Sequence, residues 1–270
     1  SRALIKEGTG RMVIANAANT YDGVTVVKDG FLQIASGANL GTGKVFVNGG
    51  VLSLTDAAQT SVATLPGGLN IVSQIGTSRA IMGVLGNMGF TIDAGSALNV
   101  TVPLYGMVLG VDGSYANNID ISQIGGAGNT RVSVANVGGG DRTYTGTLSP
   151  ATDNTIRLNS AANIFIISGT NALGGAASTA NLTVGLPYAN PLIFSGVNIT
   201  QGNTGTVSVR GNNSATLGPV TVNRGVTLAI EGAGLTTPLG NGAVTALGGT
   251  ISTDTTTDAK FGNTDFRLYG

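Results

Sequence analysis

Short apolar runs return about every 20 residues at the start of this chain, and so short a period is typical of stacked coils. Met12, Leu32 and Leu52 stand at equal intervals. Apolar and polar residues alternate within each run, which predicts half-buried β-strands, and the Gly, Asn, Asp and Thr residues between the runs favour turns. The runs are Met12/Ile14, Val24/Val26, Leu32/Ile34, Val45/Val47 and Leu52/Leu54.

This spacing predicts an all-β fold, a parallel β-helix (β-solenoid) with coils of about 20 residues. A single short coil cannot bury its own apolar face, whereas coils stacked about 4.8 Å apart pair each strand with its copies above and below. Gly30, Gly49 and Gly50 mark corners, where positive φ or close backbone approach is tolerated. An antiparallel β-sandwich is the alternative, but a sandwich gives no reason for so regular a spacing.

The composition argues against several classes of function. The 270 residues contain no Cys and no His, and the 13 basic side chains balance the 13 acidic ones. The chain therefore lacks a thiol nucleophile, a thiolate–zinc site and a histidine base, and we expect no nucleic-acid partner. No apolar run is long enough for a transmembrane segment. The chain opens with Ser1-Arg2 and shows no signal peptide, so we interpret it as a processed or excised part of a longer polypeptide.

We expect one solenoid over residues 1–270, with four sub-regions. These are a regular opening repeat at 1–54, irregular coils at 55–118, regular coils at 119–198 and a second copy of the opening repeat at 199–270. The second copy is seen in Val207/Val209, which correspond to Met12/Ile14, and in Leu239 to Val244, which correspond to Leu40 to Val45. Short coils are thus predicted to be nested in a larger unit.

The opening repeat also carries a glycine and asparagine motif. It reads Lys6-x-Gly8-x-Gly10, then Asn19-Thr20-Tyr21-x-Gly23, then Val26 to Gly30 and Leu32. This combination resembles the autotransporter-associated β-strand repeat, although the second copy departs from it, with Asn203 in place of Gly8. The resemblance implies a right-handed parallel β-helix, a secreted or cell-surface location in bacteria, and a stalk, adhesin or fibre role. It brings no catalytic site.

The acidic residues raise the question of catalysis, which in a β-helix needs two carboxylates about 5–10 Å apart. Asp93/Asp112 and Asp120/Asp141 are spaced so that they could stack on neighbouring coils. Most Asp residues adjoin Gly, Asn or Ser, where Asp caps turns. We therefore interpret them as turn caps and expect no enzyme activity, no metal site and no cofactor.

Tyrosines could bind sugars by stacking if they were exposed in rows. They are spread along the chain, so we interpret them as corner packing. They are Tyr21, Tyr105, Tyr115, Tyr144 and Tyr188.

Both ends of the predicted solenoid expose a strand edge, which templates pairing with another strand. Neither end carries the helix, charged loop or atypical coil that usually caps a solenoid. The candidate assembly edges are Leu4, Ile5, Met12 and Ile14 at one end and Phe261, Phe266 and Leu268 at the other. We predict an extracellular structural protein that forms a fibre, stalk or matrix element, its partner being itself, as adjoining repeats or as copies stacked head to tail. The alternative is an adhesin-type passenger that binds surface glycans or a host surface along one face.

Overall fold

A computed structural model of the chain describes residues 2–35, 37–47, 51–54, 69–71, 84–86, 100–101, 107–111, 114–116, 118–124, 126–136, 140–160, 163–174, 179–185, 192–193, 200–201, 205–213, 217–253 and 265–269.

The described residues form β-strands and two short 3-10 turns, and no α-helix is found among them. The strands are β1 (Leu4–Lys6), β2 (Arg11–Ile14), β3 (Thr25–Val27), β4 (Phe31–Ile34), β5 (Val45–Val47), β6 (Val51–Leu54), β7 (Leu69–Ile71), β8 (Val84–Gly86), β9 (Val100–Thr101), β10 (Met107–Val111), β11 (Ile119–Asp120), β12 (Val132–Asn136), β13 (Arg142–Tyr144), β14 (Leu148–Ser149), β15 (Thr155–Ser160), β16 (Ile164–Ile167), β17 (Ala180–Val184), β18 (Leu192–Ile193), β19 (Thr200–Gln201), β20 (Thr206–Val209), β21 (Leu217–Asn223), β22 (Thr227–Ile230), β23 (Val244–Leu247), β24 (Thr250–Thr253) and β25 (Phe266–Tyr269). The 3-10 turns are Ile121–Gln123 and Gly126–Arg131.

Parallel pairing between successive coils builds three extended sheets. The long sheet has eleven strands in the order β2-β4-β6-β8-β10-β12-β15-β17-β21-β23-β25. The early sheet is β1-β3-β5-β7-β9 and the late sheet is β13-β16-β20-β22-β24. A short parallel pair, β11 with β14, and an antiparallel pair, β18 with β19, complete the described strands. The predicted parallel β-solenoid is confirmed, while the handedness of its coil stays a prediction.

One row of aliphatic residues runs through the long sheet from its first strand to its last. Each member lies opposite the next across a strand pair. The row, called the spine, is Met12, Leu32, Leu52, Leu85, Leu109, Val134, Leu158, Val184, Val222, Ala246 and Leu268. Interior members such as Leu32 and Leu158 are buried. Because side chains alternate along a strand, this inward row fixes the core-facing side of every strand in the sheet.

Coil length varies more than the sequence pattern predicts. The first two steps along the long sheet, from β2 to β4 and from β4 to β6, are equal and as short as expected. The step from Leu52 to Leu85 and the step from β17 to β21 are much longer, and the step from Leu109 to Val134 is intermediate. The predicted coil of about 20 residues holds in the opening repeat and again between β20 and β22, while other coils are longer. Strands must keep register, but the segments connecting them need not keep length.

The predicted division into sub-regions stays a prediction, and each of the two middle ones has a distinct local feature. Within 55–118, where irregular coils are predicted, β7 to β10 pair in parallel within the early and long sheets. Within 119–198, where regular coils are predicted, Ile121 begins a 3-10 turn. The carboxylate of Asp120 accepts hydrogen bonds from the backbone N and the hydroxyl of Ser122, at 3.0 and 2.6 Å. This local bonding competes with extended backbone.

The opening repeat and its second copy share a corner geometry but lie on different faces. The pair β3–β4 spans the early and long sheets, whereas β21–β22 spans the long and late sheets. The connecting corners have Gly30 at φ +61° and Gly225 at φ +84°, a left-handed conformation that favours glycine. A Cβ added at Gly43 would lie 2.0 Å from a backbone oxygen of the preceding coil, and one at Gly242 would lie 2.2 Å from such an oxygen. The same strand–corner–strand unit thus occurs twice, first between the early and long sheets and then between the long and late sheets.

Candidate assembly edges

The N-terminal end of the solenoid exposes the edges of β1 and β2. β2 is the terminal strand of the long sheet and β1 that of the early sheet, as far as the described residues extend. Met12, which begins the spine, is 37% exposed, whereas Leu32 beside it is 0% exposed. Leu4 and Ile14 are half-buried, and Ile5 is 51% exposed. All four predicted residues therefore lie on edge strands, and whether copies join there stays a prediction.

A lysine closes one corner of this end. Lys6 faces inward in β1, opposite Val27, and is buried. Its Nζ donates to the backbone oxygens of Glu7, Gly8 and Asp29 at 2.8, 2.5 and 3.1 Å. These bonds satisfy backbone carbonyls from two successive corners. They do not cover the edges of β1 and β2, so the expectation that neither end is capped stays a prediction.

The outward face of β2 carries Arg11. Its Nη1 donates to Oε1 of Gln33 at 2.7 Å, and its guanidinium carbon lies 4.8 Å from the ring centroid of Phe31. Both contacts are with β4. The charged group therefore leans along the solenoid, away from the open edge of β2.

The C-terminal end exposes the edge of β25, the last strand of the long sheet. Leu268, which ends the spine, is 77% exposed and Phe266 is 44% exposed. Between them, Arg267 forms an ion pair with Asp265 at 2.6 Å, and this contact raises the pKa of Arg267 above its ordinary value. Phe261, the third residue predicted for this edge, lies outside the described residues.

The edge strands β2 and β25 carry the first and last members of the spine. A spine residue inside the sheet has an aliphatic neighbour on each side, whereas Met12 and Leu268 each have one such neighbour, Leu32 and Ala246. Their exposure follows from this difference. The long sheet is the only one of the three extended sheets that has a described strand at both ends of the solenoid. The other strand near the N-terminal end, β1, belongs to the early sheet, whereas β24, near the C-terminal end, belongs to the late sheet.

Of the acidic residues in the predicted stacked pairs, Asp120 caps the 3-10 turn that begins at Ile121, so the interpretation as a turn cap is confirmed for it. Asp141 bonds to a neighbouring coil instead, where its Oδ1 accepts a hydrogen bond from the backbone N of Ile164 at 2.9 Å. Asp93 and Asp112 lie outside the described residues.

Of the tyrosines interpreted as corner packing, those with described positions pack inside the solenoid, whereas Tyr269 on the edge strand β25 is exposed. Tyr115 and Tyr144 are buried and stack with ring centroids 5.8 Å apart, and burial raises the pKa of Tyr144 above its ordinary value. Tyr21 is partly buried against the core. Corner packing is therefore confirmed for these three residues, while Tyr105 and Tyr188 lie outside the described residues.

Comparisons with known proteins find no relative of this chain. No family model, no curated protein and no solved structure matches it. The resemblance to the autotransporter-associated β-strand repeat stays a prediction from the opening motifs. In the part of the chain that the structure describes, no helix is long and apolar enough to cross a membrane.

Proposed function

We propose that this chain is an extracellular structural element of a bacterial surface or matrix, lengthened by parallel strand addition at the ends of its long sheet. The observation that carries the proposal is the spine, whose first and last described members, Met12 and Leu268, are exposed aliphatic side chains. An open strand edge templates pairing. Contact between two different edges does not close on itself, so repeated contacts generate a fibre.

The strength of such a joint can be bounded. Full burial of a side chain such as Phe266, Leu268 or Met12 contributes about 1.5–3 kcal/mol, and each new backbone hydrogen bond about 0.5–1.5 kcal/mol. Association itself costs about 4–15 kcal/mol. The joint is therefore weak between free copies. It forms at high concentration, or between repeats that one polypeptide holds at high effective concentration.

The composition and the opening motifs support a structural role outside the cell. The chain has no cysteine and is held by repeated strand pairing and close packing. The resemblance to autotransporter repeats supports export and a bacterial surface. The adhesin alternative would need exposed aromatic rows, and the described tyrosines Tyr115 and Tyr144 are buried.

Electron microscopy of the purified chain at neutral pH, over a concentration series, tests the proposal. We expect uniform filaments of constant width that lengthen with concentration. Leu268→Lys places a charge on the C-terminal spine edge and should abolish them, whereas Leu247→Lys changes an exposed leucine on the neighbouring strand β23 and should not. Rods of one chain length at every concentration would refute assembly by free copies. Filaments that survive Leu268→Lys would refute the assigned edge.

A further inference from the structure

The corner before β23 carries an asparagine that is followed directly by a glycine. Asn241 is exposed and Gly242 is half-buried. A Cβ added at Gly242 would collide with the backbone carbonyl of Gly218 in the preceding coil, and such close backbone approach favours glycine. The fold therefore requires a residue without a side chain immediately after Asn241.

The equivalent corner of the opening repeat shows that the asparagine itself is not required. There the sequence is Gly41-Thr42-Gly43, and a Cβ added at Gly43 would collide with the backbone of Gly23. Thr42 stands where the second copy has Asn241. The two corners therefore share the stacked glycine and differ in the side chain before it.

The carboxamide of Asn241 is not held in place, unlike those of other exposed asparagines. Oδ1 of Asn16 accepts a hydrogen bond from the backbone N of Ala18 at 2.9 Å. Nδ2 of Asn154 donates to the backbone oxygen of Thr179 at 2.9 Å. In the part of the chain that the structure describes, no hydrogen bond holds the carboxamide of Asn241, so its side chain can turn toward the backbone that follows it.

We propose that Asn241 is a site of spontaneous deamidation. The backbone N of Gly242 loses its proton to hydroxide from the solvent and attacks Cγ of Asn241. An N–Cγ bond forms, the Cγ–Nδ2 bond breaks, and ammonia leaves with a proton taken from water. Water then opens the cyclic succinimide. The attack is intramolecular, which favours it over direct hydrolysis, and glycine has no side chain that would block the approach.

The two products of ring opening affect the corner differently. Breakage of the new N–Cγ bond leaves aspartate and an unaltered main chain, whereas breakage of the original peptide bond leaves isoaspartate, which lengthens the main chain. Gly240 and Gly242 on either side both pack against the backbone of residues 217–218, so the corner has no room for the added length. We expect isoaspartate to displace Ala243, whose oxygen accepts a hydrogen bond from the backbone N of Val220 at 2.8 Å.

Peptide mapping by mass spectrometry tests the proposal. The folded chain is incubated in mildly alkaline buffer, and digestion at intervals shows which asparagines have become acids. We expect the acid to accumulate at Asn241, faster as pH rises, while Asn16 and Asn154 stay intact. Asn241→Thr supplies the residue of the opening repeat and should remove the signal at this corner. A second Asn-Gly pair, Asn48-Gly49, lies outside the described residues and is mapped separately.

The same incubation in denaturant separates the effect of the sequence from that of the corner. An intact Asn241 in the folded protein would overturn the proposal, and its deamidation in denaturant alone would show that the stacked corner prevents the attack. Equal accumulation of acid at Asn16 or Asn154 in the folded protein would also overturn it, because the unbound carboxamide and the glycine would then confer no selectivity. Hydrogen exchange at the Val220 amide should be faster in the isoaspartate form, and unchanged exchange there would refute the displacement of Ala243.

Discussion

Substitution of Gly43 by alanine should destabilise the opening repeat sharply. Gly43 precedes β5, and an added Cβ would lie 2.0 Å from the backbone oxygen and 2.5 Å from the carbonyl carbon of Gly23 in the preceding coil. Backbone atoms cannot rotate away as a side chain would. Relief therefore requires the two coils to separate at a point where the Thr25 N donates to the Lys44 O at 2.9 Å.

The expected cost follows from these contacts. Overpacking of this kind costs about 1–3 kcal/mol, and the strained hydrogen bond adds about 0.5–1.5 kcal/mol. Alanine also restricts the conformations of the unfolded chain, and this effect raises the free energy of unfolding by about 0.4–1 kcal/mol. The middle of each range gives a net loss of about 2 kcal/mol. Gly10→Ala is the matched control, because a Cβ at Gly10 meets nothing within 4 Å and its backbone is not left-handed. It should be neutral or slightly stabilising.

Hydrogen exchange is the suitable assay, since a solenoid opens locally and global unfolding averages over its coils. Amides of β3 and β5 should exchange about 30-fold faster in Gly43→Ala than in the wild type, and those of β22 and β23 should be unchanged. If Gly43→Ala exchanges like Gly10→Ala, the close stacking of glycine corners does not hold the coils at this distance.

Three further predictions concern the interior and one surface pair. Leu158→Ala removes a buried spine residue and should lower the free energy of unfolding, measured with denaturant, by about 2–5 kcal/mol. Leu268→Ala should change the stability of the monomer by less than about 0.5 kcal/mol. Equal effects would refute the assignment of Leu268 to an open edge. The side chain of buried Asn213 accepts a hydrogen bond from the backbone N of Leu173 at 3.1 Å and donates to the backbone oxygens of Gly211 and Pro238, each at 3.0 Å. Asn213→Ala should lower the free energy of unfolding by about 1–3 kcal/mol and speed hydrogen exchange at the Leu173 amide. An unchanged exchange rate at that amide would contradict this role. The hydrogen bond and charge of Lys28 hold the pKa of Glu7 below its ordinary value, so the pair stabilises the fold at neutral pH, and this stabilisation is lost as pH falls through the lowered pKa. NMR titration of the Glu7 carboxyl should show the lowered pKa in the wild type and an ordinary pKa in Lys28→Gln. Identical titrations of the two proteins would rule out the pair.

The fold class could be predicted because its signals are local in the sequence. Alternation within a run and glycine at the corner both act over a few residues, and the regular return from Met12 to Leu32 adds the stacking. Coil lengths further along could not be predicted in this way. Stacking constrains the strands, and the segments between them accept extra residues with little penalty.

The edges were predicted only in part for the same reason. Apolar alternation identified Met12 and Leu268, but it could not identify them as the first and last described members of one row. That assignment needs the register across every intervening coil, including the two long steps that separate β6 from β8 and β17 from β21. The corner contacts of Lys6 were not predicted, because the backbone carbonyls that it binds leave no pattern in the side-chain sequence.

The repeat unit uses the early and long sheets in its first copy and the long and late sheets in its second. This difference affects the strength of contacts within an extended assembly. The long sheet needs one parallel strand from each coil, with an aliphatic residue facing inward. In the opening repeat this strand follows the glycine corner, as Leu32 follows Gly30, and in the second copy it precedes the corner, as Val222 precedes Gly225. Either strand serves, so the unit can move round the coil without interrupting the spine.

The early and late sheets do not have this freedom. As described, the early sheet ends at β9 and the late sheet begins at β13. Two ends of one chain can therefore match in the long sheet alone, while coils within a repeat unit pair through two sheets. A joint between copies would therefore be held by one sheet and would be weaker than the contacts between coils inside a repeat unit. The joints between copies would be the points at which such a filament breaks.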